Sequence, residues 1–192
     1  MMKRILLVCT GNTCRSPMAE AMLRRMAAYR RITLAVRSAG VSTMDGMPIS
    51  VPALESLRKR EIEHTGTSRA LTLEVVDWAD LILTMTSSHK RSLLQWFPQA
   101  VDKTYTLKEF AYQDEQLLED IAELEKLYGE MQIQQALGGQ LTDQDRKRLL
   151  ELEKRIPSFD IADPFGGSQT IYDECSFEIE EALEKLLDKL KK

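Results

Sequence analysis

Two residues near the start of this chain, a cysteine and an arginine, have a spacing suited to phosphate chemistry. Cys9 and Arg15 are separated by five residues, with Gly11 between them and Ser16 directly after the arginine. An apolar run at residues 5–8 ends at the cysteine, and a helical pattern begins beyond the arginine. A loop between a strand and a helix directs several backbone N–H groups at one point, and the helix N-terminus adds partial positive charge. The spacing therefore predicts a loop that binds a phosphate dianion and favours the thiolate form of its cysteine.

The other side chains of this loop have individual physical roles in such a site. The planar, permanently charged guanidinium of Arg15 can hold two phosphate oxygens at once. Gly11 lets the backbone approach the ligand without a Cβ, and Asn12 tolerates a left-handed conformation while its amide ties the loop together. Ser16 can donate a hydrogen bond to the thiolate, and Pro17 fits the first turn of a helix because its missing N–H would be unpaired there anyway.

Residues 8–20 read V-C-T-G-N-T-C-R-S-P-M-A-E, which resembles the signature V-C-x-G-N-x-C-R-S-P-x-A-E of the low-molecular-weight phosphotyrosine phosphatase family. A C-x5-R spacing alone is also consistent with coincidence at the end of a buried strand. The resemblance implies that Cys9 is the nucleophile and that Arg15 binds the transferred phosphoryl group. It also implies a substrate-binding loop formed by Thr10, Gly11, Asn12, Thr13, Cys14 and Ser16.

The remaining chain alternates apolar strand patterns with amphipathic helix patterns. We predict strands at residues 5–8, 33–36, 81–85 and 103–107, and helices at residues 17–30, 50–60, 72–78, 87–96 and 172–192. Tyr29 and Phe177 are expected on the buried faces of the first and last of these helices. The alternation indicates an α/β fold with a parallel sheet covered by helices on both faces, in which ligands bind beyond the carboxyl ends of the strands. The resemblance implies that this sheet has four strands.

A second chemical element is Asp163, which precedes Pro164 in a loop just before the last helix. Displacing a leaving group with a thiolate requires a proton donor on the far side of the phosphorus. An aspartate held by a following proline fits that role, although an Asp-Pro pair is also an ordinary turn. The family carries its general acid in an Asp-Pro near the C-terminus, so the resemblance implies that Asp163 is the general acid.

Two positions bear on the substrate. Thr13 occupies a position that is usually aliphatic in tyrosine-directed members, and Phe165 is followed by glycines where those members have tyrosines. Both features resemble the bacterial protein-arginine phosphatase branch of the family. The Thr13 hydroxyl could orient the hydrolytic water, Asp163 could pair with a guanidinium, and Phe165 could stack on its plane. Phosphotyrosine hydrolysis is the alternative, in which Thr13 only packs as a β-branched residue.

The three cysteines do not form a secreted disulfide framework, since two of them lie in one loop. Cys14 can capture an oxidised Cys9 as a disulfide and so protect it from irreversible oxidation. The resemblance favours this reversible redox switch over the simpler interpretation of Cys14 as a small buried residue. Cys175 is expected to be an ordinary half-buried thiol.

Composition limits the partners. The net charge of −4 and the sequence pI of about 5.4 argue against a nucleic-acid-binding surface. No segment is long enough to span a membrane, and the first apolar run is too short for a signal peptide, so we expect a cytoplasmic protein.

His64 and His89 are isolated in the sequence, and neither a metal nor another cofactor is expected. The expected partners are phosphorylated proteins, with phosphoarginine favoured.

The length indicates a single phosphatase domain over residues 1–192, interrupted by a helical insertion at about 113–157. The resemblance covers residues 3–110 and 161–192, and the family has only a short connection between them. The insertion has two amphipathic stretches, at 114–128 and at 143–155, where Thr142 is the expected N-cap. It reads as a helical hairpin beside the active-site entrance. A solvated decoration and a lid or docking surface for protein substrates are equally consistent with this pattern.

Two other classes of protein, one enzymatic and one that only binds phosphate, fit this pattern less well. Arsenate reductases share the fold but need another cysteine pair after the third strand, and residues 81–94 contain none. A non-catalytic phosphate-binding module would need neither the thiol of Cys9 nor the acid of Asp163. The chain also has Gly66 where many family members have a histidine that supports the loop, so Ser38 and Asn12 are expected to support it alone.

Overall fold

The computed structural model describes residues 2–191, which form two compact units. The main unit combines the chain up to Tyr112 with the chain from Phe159 onward, and the helical unit is Gln113–Ser158. Within residues 2–191, no helix combines the length and the apolar character needed to cross a bilayer. The boundary of the helical unit falls close to the predicted insertion at 113–157, and its status as an insertion into a single domain stays a prediction.

A four-stranded parallel sheet forms the centre of the main unit. Its strands are β1 Lys3–Cys9, β2 Leu34–Gly40, β3 Leu81–Thr84 and β4 Thr104–Thr106, in the order β2-β1-β3-β4. All three pairings are parallel, and Cys9 lies opposite Gly40 while Val8 lies opposite Thr84. The carboxyl ends of the strands therefore meet at one edge, where Cys9 is the last residue of a central strand. This sheet confirms the predicted fold class.

Helices cover both faces of the sheet because β1 alternates its apolar side chains between them. Ile5 and Leu7 belong to one hydrophobic core, and Leu6 and Val8 belong to the other. Residues 2–191 form eight α-helices: α1 Arg15–Tyr29, α2 Val51–Arg58, α3 Leu73–Trp78, α4 Ser87–Trp96, α5 Leu107–Tyr112, α6 Glu115–Ala136, α7 Asp143–Arg155 and α8 Gln169–Leu190. Two of them, α6 and α7, lie in the helical unit. The short helix α5 follows β4 directly and was not predicted.

Two apolar residues that were expected in the core are exposed. Tyr29 is 91% exposed because it is the final residue of α1, in whose last turn only Ala27 is buried. Phe177 is also exposed. Helix α8 turns Ser176 and Ile179 inward, and successive helical residues point about 100° apart, so the residue after Ser176 faces away from the core. Helical periodicity located the apolar stripes but not their edges.

The helical unit has a small core of its own. Leu127, Leu149 and Leu152 form a buried cluster between α6 and α7. Arg148 pairs with Glu123 across the two helices. Helix α7 has the predicted bounds, and the Thr142 hydroxyl accepts the backbone N–H at position 145, as expected of an N-cap. Helix α6 continues eight residues beyond the predicted end at residue 128.

Candidate active site

The loop between β1 and α1 is held by the side chain of one asparagine. Asn12 has a φ of 53°, in the left-handed region that asparagine tolerates. Its Nδ2 donates to Ser16 Oγ and to Ser38 Oγ, both at 2.8 Å, and its Oδ1 accepts the backbone N–H of Arg69 at 2.8 Å. These bonds connect the loop to α1, to β2 and to the segment after residue 67, so the loop is fixed from three directions.

The sulfur of Cys9 lies at the base of this loop and is almost completely buried. Its Sγ is 3.0 Å from Ser16 Oγ, and the backbone N–H of Asn12 donates to it at 3.3 Å. A hydroxyl and an amide directed at one sulfur atom stabilise a negative charge there. The position agrees with the expected nucleophile, and the residue's catalytic role stays a prediction.

The support of the loop extends further than the sequence indicated. Ser38 Oγ donates to Glu20 Oε2, and Glu20 Oε1 pairs with Arg24 at 2.7 Å. A Cβ added at Gly40 would lie 2.5 Å from the carbonyl oxygen of Thr10, so the end of β2 can approach the loop only as glycine. Ser38 and Asn12 therefore do not support the loop alone. Glu20 is the last residue of the signature quoted above for residues 8–20, so the sequence did indicate that it belongs to this site.

The arginine and the aspartate that were predicted to act together do meet. Arg15 Nη2 is 3.0 Å from Asp163 Oδ2, and Arg15 Nη1 donates to the carbonyl oxygen of Ile161 at 3.2 Å. The Arg15 side chain is only 5% exposed, whereas the Asp163 side chain is 57% exposed. The guanidinium is thus fixed inside the protein while the carboxylate reaches the surface. A bound phosphate would share this guanidinium with Asp163.

A pocket of about 210 Å³ opens above the sulfur. The backbone N–H of Phe165 donates to Asp163 Oδ1 at 3.2 Å, and the Phe165 side chain is among the most exposed apolar groups in the structure. Two predicted substrate-binding residues, Asn12 and Ser16, do not line the pocket because they are buried beneath the loop. The pocket is lined by Cys9, Thr10, Gly11, Thr13, Cys14, Arg15, Asp163 and Phe165.

Cys14 belongs to the same pocket and also contacts α8. Its Sγ is 3.3 Å from the Tyr172 hydroxyl and 3.4 Å from Ser50 Oγ. Burial, together with the hydrogen bond to Cys14, raises the pKa of Tyr172 to about 12. All three cysteines are free thiols. Cys175 is fully buried rather than half-buried, since α8 turns it towards the core, and that burial raises its pKa to about 12.

One residue of the site was missed by the sequence analysis. The Nε2 atom of His89 is 2.7 Å from Thr10 Oγ1, a contact that the isolated position of this histidine in the sequence did not indicate. His89 lies in the first turn of α4, just beyond the carboxyl end of β3, where the sheet places ligand-binding residues. That position could have identified His89 as a candidate site residue from the sequence. Burial, and secondarily the charge of Arg15, lower the pKa of His89 to about 4.

His64, the other histidine, has a half-buried ring near Glu20 and Arg24. Burial lowers its pKa, and the charge of Glu20 opposes that shift. Among residues 2–191, no group of three or more histidine, cysteine, aspartate or glutamate side chains is arranged to hold a metal ion.

The fold and the site agree with the comparisons to known proteins. The chain belongs to the low molecular weight phosphotyrosine protein phosphatase family, whose model matches residues 4–134. The resemblance seen in residues 8–20 is thereby confirmed.

Its similar relatives include a particular branch of this family. A protein-arginine-phosphatase from Geobacillus stearothermophilus is 36% identical over 187 residues, which are 97% of this chain and 95% of the relative. A protein-arginine-phosphatase from Bacillus subtilis is 34% identical over 188 residues, with 98% and 97% covered. A solved structure of YwlE arginine phosphatase, a cysteine-to-serine mutant with a phosphorylated active-site serine, matches with a TM-score of 0.72 and 33% identity over 98% of this chain and 96% of that one.

Proposed function

We propose that this protein is a protein-arginine phosphatase, which hydrolyses phosphoarginine in proteins through a cysteinyl-phosphate intermediate. The observation that carries the proposal is the pocket that Cys9 lines together with Arg15 and Asp163, which form an ion pair. Relatives that match nearly the whole chain are protein-arginine phosphatases, which supports the choice of substrate.

In the first step, the thiolate of Cys9 attacks the phosphorus opposite the leaving nitrogen. The S–P bond forms as the P–N bond breaks, and Asp163 gives its proton to the departing guanidine. Arg15 and the backbone N–H groups of the loop hold the equatorial oxygens, on which negative charge is concentrated. The Ser16 hydroxyl, 3.0 Å from the sulfur, stabilises the thiolate before attack and when it leaves again.

In the second step, Asp163 is ionised and takes a proton from a water molecule. The water oxygen forms a new bond to phosphorus, the S–P bond breaks, and inorganic phosphate and the Cys9 thiolate are released. Thr13 lines the pocket, and we assign to its hydroxyl the orientation of this water. The positive charge that the reaction needs comes from Arg15 and from the loop amides.

Preference for phosphoarginine follows from the groups at the pocket entrance. Asp163 provides an exposed carboxyl group whose second oxygen can accept a guanidinium N–H while its proton passes to the leaving nitrogen, and Phe165 provides an exposed ring for the planar face of the guanidinium. A phosphotyrosine ring would gain from Phe165 but would bring no N–H group to Asp163. Phosphotyrosine hydrolysis remains the second candidate, because the family model that matches residues 4–134 describes phosphotyrosine phosphatases.

The test compares kcat/KM for phosphoarginine and phosphotyrosine peptides of the same sequence, with Cys9→Ser as the blank. We expect roughly tenfold or greater preference for phosphoarginine, and we expect Thr13→Ile to reduce it. Thr13→Ser is the matched control, since it keeps the hydroxyl and removes only the methyl group. Preference for phosphotyrosine in the unmodified protein would leave the mechanism intact and overturn the proposed substrate. Full turnover by Cys9→Ser would overturn the mechanism.

We further infer that the enzyme is redox-sensitive and acts in the cytoplasm. Cys14 lies in the pocket with Cys9, and a thiol in that position can capture a sulfenic acid at Cys9 as a disulfide, with loss of water. A nucleophilic thiol also requires a compartment that keeps it reduced. Peroxide treatment followed by mass spectrometry should reveal a linkage between Cys9 and Cys14, reversible by dithiothreitol. Cys175→Ser serves as the control, and an unlinked pair would count against the switch.

For the helical unit, we infer an insertion into one catalytic domain, and its two possible roles lead to different results. Leu118 and Ile133 are exposed on α6. If the unit docks protein substrates, Leu118→Gln and Ile133→Gln should lower kcat/KM for a phosphorylated protein but not for free phosphoarginine. If it is a solvated decoration, both substrates should be hydrolysed as before.

A further inference from the structure

The buried histidine beside the phosphate-binding loop has both ring nitrogens within hydrogen-bond distance of a hydroxyl. His89 Nε2 is 2.7 Å from Thr10 Oγ1, and Nδ1 is 3.0 Å from Thr86 Oγ1. Thr86 is the N-cap of α4 and also accepts the backbone N–H of His89 at 3.2 Å. These two contacts with Thr86 therefore fix the orientation of the ring at the start of α4. Thr10 differs from both partners because it is exposed and lines the pocket above Cys9.

Two arrangements of protons fit these distances. In the first, the Thr86 hydroxyl donates to Nδ1, Nε2–H donates to Thr10 Oγ1, and the Thr10 hydroxyl proton is free to point into the pocket. In the second, Nδ1–H donates to Thr86 and the Thr10 hydroxyl donates to Nε2, so that only oxygen lone pairs of Thr10 face the pocket. A phosphoryl group carries negative charge on its oxygens and accepts hydrogen bonds. Only the first arrangement complements it.

We propose that His89 is a positioning residue that turns the hydroxyl of Thr10 into a hydrogen-bond donor for the phosphoryl group. The proposal deepens the proposed function and rests on it, because it assumes that a phosphoryl group occupies the pocket above Cys9. His89 itself does not line the pocket. It acts through Thr10, by occupying a lone pair of Oγ1 and leaving the proton for the ligand.

Burial of the ring, more than the charges around it, keeps it in the neutral form that this role requires. Arg15 on α1 opposes protonation, while Asp163 and Asp160 in the loop before α8 favour it. Burial outweighs the two carboxylates, and the pKa of His89 falls to about 4. A neutral imidazole has one donor and one acceptor nitrogen, so the orientation of Thr10 depends on the tautomer. Binding of an anion in the pocket selects the tautomer with the proton on Nε2.

The test is a double-mutant cycle on the full chain, with inorganic phosphate as the probe. Thr10→Val removes the hydroxyl with little change of shape, and His89→Leu removes the imidazole. We expect each to raise the Kd for phosphate roughly tenfold, which corresponds to about 1.4 kcal/mol. In the Thr10→Val background, His89→Leu should have no further effect on Kd, because its partner hydroxyl is already gone. Equal effects of His89→Leu in both backgrounds would overturn the proposal.

Two matched variants separate orientation from packing. Thr10→Ser keeps the hydroxyl, and His89→Gln keeps an N–H donor beside Thr10, so both should retain Kd values within about threefold of the unmodified protein. Thermal unfolding of every variant is measured alongside. If loss of phosphate binding follows Tm across the set instead of following the presence of the hydroxyl and its donor, His89 is a structural residue only.

A second measurement needs no substitution. The ¹⁵N chemical shifts of the His89 ring report which nitrogen carries the proton. Phosphate-saturated protein should show the Nε2–H tautomer, and an Nδ1–H tautomer would overturn the proposal even if His89→Leu failed to fold. Neither measurement depends on turnover. A protein that binds phosphate with these signatures but hydrolyses neither peptide would refute the proposed function and leave the role of His89 standing.

Discussion

The two loops that meet at the pocket are built in opposite ways. The phosphate-binding loop has a buried base, and Asn12 holds it with three side-chain hydrogen bonds to separate parts of the main unit. The acid loop, residues 160–167, is attached at its start, where Ser87 N–H donates to Asp160 and Ile161 N–H donates to the Met85 carbonyl. Beyond that anchor the Ala162 N–H donates to Glu178 and Asp163 pairs with Arg15, but the tip reaches solvent, where Phe165 is 80% exposed.

This difference separates two tasks of the enzyme. A phosphoryl group has the same shape in every substrate, so a fixed set of donors can be directed at it in advance. The leaving group varies between substrates, and in the proposed mechanism it meets Asp163 and Phe165, whose side chains are largely exposed. Changes in the buried loop should therefore affect stability and every substrate alike. Changes in the exposed loop should affect the leaving-group step and spare stability.

The largest effect is expected from Asp163→Asn, which removes the proton donor and leaves the shape unchanged. We expect kcat for phosphoarginine peptides to fall by roughly 10²–10⁴-fold, with Tm nearly unchanged because the side chain is largely exposed. An aryl phosphate with a good leaving group needs less protonation and should lose less activity. A uniform loss across both substrates would show that Asp163 acts through Arg15 instead of as the acid.

A steric change beneath the phosphate-binding loop should affect stability as well as activity. Gly40→Ala places a Cβ 2.5 Å from the Thr10 carbonyl oxygen, and we expect the free energy of unfolding to fall by about 1–3 kcal/mol together with activity on every substrate. The matched control is Gly129→Ala in α6, where a Cβ meets nothing within 4 Å and helix propensity should stabilise the protein by about 0.5–1 kcal/mol. A Gly40→Ala protein with normal stability and activity would contradict the rigid description of this loop.

The pH dependence of stability should reveal the histidine that lies beside both loops. The folded pKa of His89 is about 4, below its ordinary value, so the unfolded chain binds more protons between these values. The free energy of unfolding should consequently fall as the pH is lowered from about 6.5 towards 4. His89→Gln should flatten this slope above about pH 5, where carboxylates contribute less.

His64 provides the control for that experiment, since it is the only other histidine in the sequence and its pKa is also lowered. His64→Gln should remove a separate part of the slope, and the double variant should remove both. Chemical denaturation at a series of pH values measures these contributions. An unchanged slope in His89→Gln would show that folding does not lower the pKa of this ring.

The smallest effect is expected at the tip of the acid loop. Phe165→Ala should lower kcat/KM for phosphoarginine peptides by only about two- to fivefold, the size of a solvent-exposed cation–π contact. Tm should not change, because the ring is exposed. The measurement is made against phosphotyrosine peptides of the same sequence. A large loss of stability would mean that Phe165 is part of the core rather than of the entrance.

Much of the fold could be predicted because its signals are local. Strands and helices followed from apolar periodicity, and Thr142 marked a helix start that the structure has at the next residue. The edges of the buried faces could not be predicted, as Tyr29 and Phe177 demonstrate. Whether a residue at the margin of an apolar stripe is covered depends on where a helix ends and on which elements pack against it.

The sequence by itself determined the phosphate-binding loop, because Cys9, Asn12 and Arg15 are close along the chain and the turn from β1 to α1 brings them to one point. Only the tertiary structure decided which distant groups join them. Thr10 meets His89 because β3 lies next to β1, so that both end at the same edge of the sheet. The distance between Arg15 and Asp163 likewise depends on how the acid loop is anchored to the chain after β3. Strand pairing joins residues that are far apart along the chain, so local sequence patterns do not predict which strands lie side by side.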